Sequence, residues 1–597
     1  MDVGELLKYQ PQKGAKRRVP DQFERRPKAK RISNNEEEPE TYQFKKILKK
    51  GTSSEPKKVS TPAPSTQANK DVSTVKPVKD SPIIKSVKVG MTDDEKEKLL
   101  SMVENDDEGE AINESTIKKY ILTFEKKVTK NQEMRIKFPD QPPKFMESEM
   151  ELHDEIQKLH VLATVPEYYE TFIKLNAVST VLGLLNHPNT DIAIAVVHLL
   201  QELTDTDTLQ DSEEEAMFLV DALLEGQVTN VLLQNLQRLD ERQKEDFDGV
   251  HHTLAVIENL AEFHPDVCIT AGQQGLLTWL LKRLKRKVFD NNKLYASEII
   301  AIMLQNHEEN RQLLGESNGV DSLLQALAAY KGHNPNNQEE TEYMENLFSC
   351  LCSSLLFPPN KDLFLKGEGL QLMILMLREK KMSRTSALKV LAYTMTGENG
   401  GENCNKFVDI LGLRCVFPLF MKPPKRNKKT GNSKEECEEH TCSIIASLFR
   451  HLTGSNRSRL VQKFVEEDHI KLDRLMELYF KYQRRVQDAD ARIEREKDDL
   501  EEQGELIDEA MEDMFYLKRL DAGLFILQLI VCIMLEACCS GVASIKQRVI
   551  TLMSQHGGSM KQIKQVMREY AGHIGDTTTN ESAEMERRRL LSLVDRF

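Results

Sequence analysis

The feature that most constrains this chain is a recurrence. A small residue followed by apolar residues one, four, five and eight positions later occurs at Ala177 (Val178, Val181, Leu182, Leu185), Gly319 (Val320, Leu323, Leu324, Leu327), Gly369 (Leu370, Met373, Ile374, Leu377) and Gly412 (Leu413, Val416, Phe417, Phe420). Gly226 and Gly275 fit with the register slipped by about one residue, and the six anchors then lie 49, 49, 44, 50 and 43 residues apart. That spacing of apolar residues lines one face of a helix. The clearest copy is 175–205, where Asn186-His187-Pro188-Asn189 breaks the chain and Thr190 or Asp191 can cap a second helix. In that second helix Ile192, Ala195, Val196, Leu199, Leu200 and Leu203 share a stripe. Two short amphipathic helices cannot bury their faces alone, so each copy requires neighbours.

A period near 45 residues fits armadillo and HEAT units, at about 40–47. A third, short helix precedes the small residue, as in the segments beginning at Asn310 and Asn360, each nine residues ahead of its glycine. A glycine there suits a sharp turn needing positive φ. A short helix, a glycine turn and two longer helices is the armadillo order. The expected fold is therefore all-α: an armadillo-type right-handed superhelical solenoid with helical caps at both ends and a disordered N-terminal tail. The expected divisions are a disordered tail at 1–90, an N-terminal cap at 91–174 opening on the capping-box-like Thr92-Asp93-Asp94-Glu95, about six units at 175–453, and a C-terminal helical region at 454–597. The sixth unit carries a basic insert at 423–436, and 472–506 suits a long exposed charged helix or short coiled coil.

Charge divides the chain. Residues 1–90 hold 21 Lys/Arg against 11 Asp/Glu, a net of +10, which leaves 61 against 84, a net of −23, for the remaining 507. An acidic body is a poor match for a phosphate backbone, so no direct nucleic-acid site is expected; basic protein segments suit it better. In the tail, Lys16, Arg17 and Arg18, then Arg25, Arg26, Lys28, Lys30 and Arg31, have the spacing of a bipartite nuclear localisation signal. That places the protein in the nucleus, carried there by importins. Residues 1–20 do not read as a signal peptide, and the longest apolar run, 523–535, falls short of the roughly 20 residues of a membrane span. It is read as a buried helix, with no membrane partner. Ten scattered cysteines, several inside apolar stripes, fit a reducing compartment without a disulfide framework.

No phosphate loop, dinucleotide fingerprint or nucleophile elbow is present, so no enzyme is expected. Cys437, His440 and Cys442 lack a second ligand pair, and His251-His252 lacks a partner for catalysis; neither cofactor nor metal is expected. In an armadillo array the last helix of each unit lines the groove. Glu202 and Asp205, then Glu258, Asn259 and Glu262, then Glu298 fall on those helices, where carboxylates would hold Lys/Arg-rich peptides through charge-assisted hydrogen bonds.

The segments MDVGELLKYQP, YILTFEKK, NQEMRIKFPD, PKFMESEMELHDEI, TDIAIAVVHLLQELTD, QQGLLTWLLKRLK, FLKGEGLQLMILMLREKKMSR and FYLKRLDAGLFILQ resemble the β-catenin-like protein 1 family. The resemblance runs over residues 1–9 and from about 98 to 597; residues 33–90 depart from it. It implies a nuclear armadillo scaffold associated with the spliceosome through the NineTeen Complex. Its implied partners are basic, nuclear-localisation-type segments of splicing factors, including the Myb-like component of that complex. The helical patterns that run to residue 597 separately offer a surface for a homodimer. The alternative is an importin-α-like import adaptor. That class uses Trp followed four residues later by Asn on its groove helices; here Ala255 stands four before Asn259, and the single Trp279 lies on another helix.

Overall fold

The computed structural model describes residues 112–206, 209, 212–424, 433–574 and 581–597, and no strand occurs among them. The basic clusters at 16–31, the capping box at Thr92 and most of the 423–436 insert lie outside the described residues. Helices recur in threes. The first triplet is Tyr169–Lys174, Ala177–Leu184 and Thr190–Leu203; the fourth is Glu308–Glu316, Gly319–Leu327 and Gln338–Ser354; the sixth is Gly401–Asp409, Leu413–Met421 and Lys434–His451. The predicted three-helix order is present in each.

The described residues fall into two compact units. The first holds 112–280 with 290–299. It begins with Glu114–Lys137 and Pro142–Leu159, an antiparallel pair packed on the first triplet through Ile117, Ile121, Phe124, Leu152 and Ile156, each at most 1% exposed. Burying an aliphatic or aromatic side chain of this size contributes about 1.5–3 kcal/mol, enough to hold a terminal pair on the array. Within Thr190–Leu203, Ile192, Val196, Leu199, Leu200 and Leu203 are buried, as the stripe requires. The N-cap is Asn189, one residue earlier than the sequence suggested, because its side chain accepts from the Asp191 amide. Arg238 reaches back from the second triplet to the carbonyls of Leu185 and His187, satisfying a helix end of the first.

The second unit holds 281–289 with 300–597. Here the short helices carry buried asparagines. Asn310 donates to the Met303 carbonyl, Asn360 to those of Arg311 and Ser354, and Asn403 to that of Lys361. Asn310 and Asn360 thereby satisfy carbonyls at the ends of the preceding long helices, and Asn360 and Asn403 tie one triplet to the one before it. After the sixth triplet, Gly454–Gln503 breaks at 466–469, where φ turns positive at Glu467, Asp468 and His469. Its later part is not the exposed rod that its charge suggested. Leu472, Leu475, Leu478, Tyr479 and Tyr482 are all fully buried, and Asp473, Asp490 and Glu496 pair with Arg548, Arg519 and Lys518 of the following helices. The apolar run at 523–535 lies in Phe525–Cys538; the 509–538 stretch is long and apolar enough to cross a membrane, but 78% of its most apolar window is buried inside the protein. All ten cysteines are free thiols.

The turn before each middle helix corrects one expectation. Left-handed φ falls at Asn176, Gln227, Gly275, Asn318, Glu368 and Leu411, spaced 51, 48, 43, 50 and 43 apart. In four units that residue precedes the anchor, and Gly319, Gly369 and Gly412 are not themselves left-handed. They are small for a different reason. A Cβ on Gly369 would sit 2.4 Å from the Phe364 ring, and one on Gly412 2.4 Å from the Phe407 ring. The aromatic of the short helix packs flat against the start of the middle helix, which demands close approach rather than unusual dihedrals.

Candidate peptide groove

In the first unit the third helices and Pro142–Leu159 enclose a cleft of about 710 Å3. Its lining includes Glu149, Asp154, Asp191, Glu245 and Asp248, with His153, His198 and His252, and no lysine or arginine. Met146 and Met150 add apolar surface, 57% and 63% exposed. Glu149 already pairs with Arg135 and receives the Asn189 amide, so the other four carboxylates carry the negative field. Chemically, such a lining offers carboxylates as acceptors for ammonium or guanidinium groups and methionines as apolar surface for aliphatic stems.

The six residues singled out from sequence all lie on or just after the third helices. Glu202 is half-buried and faces His160, whose Nδ1 is 2.6 Å from its carboxylate, and His198 at 3.5 Å. Glu258 accepts from the Tyr295 hydroxyl; burial first, then this carboxylate, pushes the Tyr295 phenol above its usual range. Glu262 is exposed and accepts from Thr206 at 3.1 Å. Asp205 and Glu298 are half-buried. Asn259 donates to the Gln201 carbonyl at 3.4 Å and to the Thr204 hydroxyl at 3.2 Å, so its amide ties two third helices together.

Sequence reasoning missed Asp154, Asp191, Glu245 and Asp248. The signal was available: Asp191 and His198 lie seven residues apart, as do Glu245 and His252, so each pair shares a helix face two turns apart. Reading only the C-terminal ends of these helices hid it. The histidines also form a row. Ring centroids of His160 and His198 are 4.9 Å apart, those of His198 and His252 4.8 Å, and those of His251 and Tyr295 4.9 Å. Burial, then the neighbouring His198 and His251, lowers the His252 imidazole below its ordinary range. Cys437, His440 and Cys442 do not converge; among the described residues the one trio of possible ligand side chains that does is His160, His198 and Glu202.

Triplets of short, middle and long helices, repeated along the described residues, define an armadillo-type repeat protein. More particularly, residues 97–568 match the family model described as catenin-beta-like, Arm-motif containing, nuclear, and the chain belongs to that family. It is 58% identical over 487 residues to Beta-catenin-like protein 1 of Homo sapiens, covering 81% of this chain and 86% of that protein. The Mus musculus protein gives the same identity and coverage. The Schizosaccharomyces pombe homologue is 33% identical over 495 residues, covering 82% and 84%.

Proposed function

We propose that this protein is a non-catalytic scaffold of the spliceosome, associated with the NineTeen Complex. It captures basic, nuclear-localisation-type segments of splicing factors in the acidic groove of its first unit and so supports pre-mRNA splicing in the nucleus. The observation that carries this reading is the lining of the 710 Å3 cleft, where Asp154, Asp191, Glu245 and Asp248 add to a Glu149 already paired with Arg135, and no lysine or arginine lines the space. Unlike charges arranged in a concave face speed encounter and fix register. The alternative, an import adaptor, rests on the same charge and lacks the tryptophan ladder.

The test is a titration of the full chain with a fluorescent Lys/Arg-rich peptide, read by anisotropy. Reversing charge together at Glu202, Asp205, Glu258 and Glu262 weakens binding at least tenfold, about 1.4 kcal/mol, if these residues face the ligand. A second set, Asp191→Lys with Asp248→Lys, weakens it similarly if the cleft is the centre. Unchanged affinity in both sets removes the groove. Affinity capture from nuclear extract separates the cellular roles: recovery of importin-β without splicing factors overturns the spliceosomal one.

A further inference from the structure

We propose that His160, His198 and Glu202 form a binding site for a divalent transition-metal ion of the zinc class. One ligand atom from each side chain lies within 4.8 Å of the others. Two of them come from one helix: His198 and Glu202 are four residues apart on Thr190–Leu203, which stacks them one turn apart on the same face. The third comes from an earlier element packed against that helix, since His160 opens the short 3-10 turn that follows Pro142–Leu159. The site is therefore chelating and bridges two packed elements.

The distances suit a small ion. Zinc bonds imidazole nitrogen at about 2.0–2.1 Å and carboxylate oxygen at about 2.0–2.2 Å, so tetrahedral ligands stand about 3.3 Å apart. Here His160 Nδ1 and Glu202 Oε2 are 2.6 Å apart, and His198 Nε2 and Glu202 Oε1 3.5 Å. Closing on an ion takes side-chain adjustments of about 1 Å, within reach of half-exposed His198 and Glu202, whose side chains are both 41% exposed. The ring of His160 is the more buried of the two, its side chain 14% exposed. Two imidazoles thus converge on one carboxylate, a donor set that chelates a cation. Nitrogen and oxygen donors without thiolate favour zinc, nickel, cobalt or copper over calcium and magnesium. His252, its ring 4.8 Å from that of His198, is a candidate fourth ligand; otherwise water fills the position.

This site does not depend on the peptide-binding reading, although Glu202 is common to both. The full chain, stripped with chelator, is titrated with zinc by calorimetry and with cobalt by visible absorption. One equivalent binds, cobalt gives the d–d bands of a low-coordinate nitrogen/oxygen site, and no thiolate-to-cobalt charge-transfer band accompanies them, which separates this site from the free cysteines. His198→Ala and Glu202→Gln each weaken binding at least tenfold and remove the rise in Tm that zinc produces, whereas a Glu258→Lys/Glu262→Lys variant keeps full zinc affinity whatever it does to peptide binding. No binding up to millimolar zinc, or equal binding in His198→Ala and Glu202→Gln, overturns the assignment.

Discussion

Lys361 shows what a residue can conceal. In the sequence it is one lysine among many, in a short polar-looking segment; in the structure it is 7% exposed, its ammonium donating to the Thr396 carbonyl. Burial lowers its pKa to about 8, against about 10.4 for a lysine in an unfolded chain. The direction of linkage follows. Between pH 8 and 10.4 the unfolded chain binds more protons at this site than the folded one, so stability rises with pH there. Below pH 8 the full cost of burying the charge is present. The stability difference between the native chain and Lys361→Met therefore moves by roughly 2 kcal/mol in favour of the native chain from pH 7.5 to 9.5. Urea unfolding at both values measures it, and a pH-independent difference would refute it. The anchor glycines are the opposite case. Their positions were legible because the spacing repeats, but their cause was not, since only the fold brings the rings of Phe364 and Phe407 against them.

At the scale of elements, amphipathic stripes announced the array well: Thr190–Leu203 buries the stripe predicted for it, Ile192, Ala195, Val196, Leu199, Leu200 and Leu203. The region after the sixth triplet was harder, because a helix dense in charge reads as solvated when its partners are remote in sequence. Glu438 of Lys434–His451 is 1% exposed and receives Arg474 at 2.8 Å, Lys481 at 2.7 Å and the Tyr482 hydroxyl at 2.7 Å, all from Gly454–Gln503. Burial raises its pKa, but these hydrogen bonds and charges outweigh it and hold the carboxyl below its usual range. Its contribution is thus present above the ordinary carboxylate range and lost as pH falls through the lowered value. Removing Glu438 leaves the buried Tyr482 hydroxyl without its acceptor, while Arg474 keeps Glu477 and Lys481 keeps Glu435, so Glu438→Ala costs about 2–3 kcal/mol. A fall in urea midpoint corresponding to less than about 1 kcal/mol would show that apolar packing alone joins the two helices. Gly523 adds a second link that sequence could not show: its φ of 110° opens a π-type turn, and a Cβ there would lie 2.6 Å from the Tyr482 ring.

For the whole molecule, the sequence disclosed the division of charge but not where the acids converge. The net of −23 over residues 91–597 is a bulk property, whereas recognition needs carboxylates on one concave face, and that depends on three helices remote in sequence presenting Asp154, Asp191 and Asp248 to the same space. If the groove works through this field, its affinity for a Lys/Arg-rich peptide is salt-dependent. At about 0.1 M salt the Debye length is roughly 10 Å, and at 1 M it is roughly 3 Å. Raising salt from 50 mM to 500 mM therefore weakens binding more than tenfold, mainly by slowing association. The same titration in the Asp191→Lys/Asp248→Lys variant shows a much shallower dependence, because its field has been cancelled at the source. A salt-insensitive affinity in the native chain would mean that apolar contacts at Met146 and Met150 hold the peptide, and the division of charge would then serve another purpose. The tail is tested separately. Alanine at Lys16, Arg17, Arg18, Arg25, Arg26, Lys28, Lys30 and Arg31 in the full chain abolishes nuclear accumulation of a fluorescent fusion, while peptide affinity stays within twofold. Retained accumulation would assign nuclear entry to a partner rather than to the basic clusters.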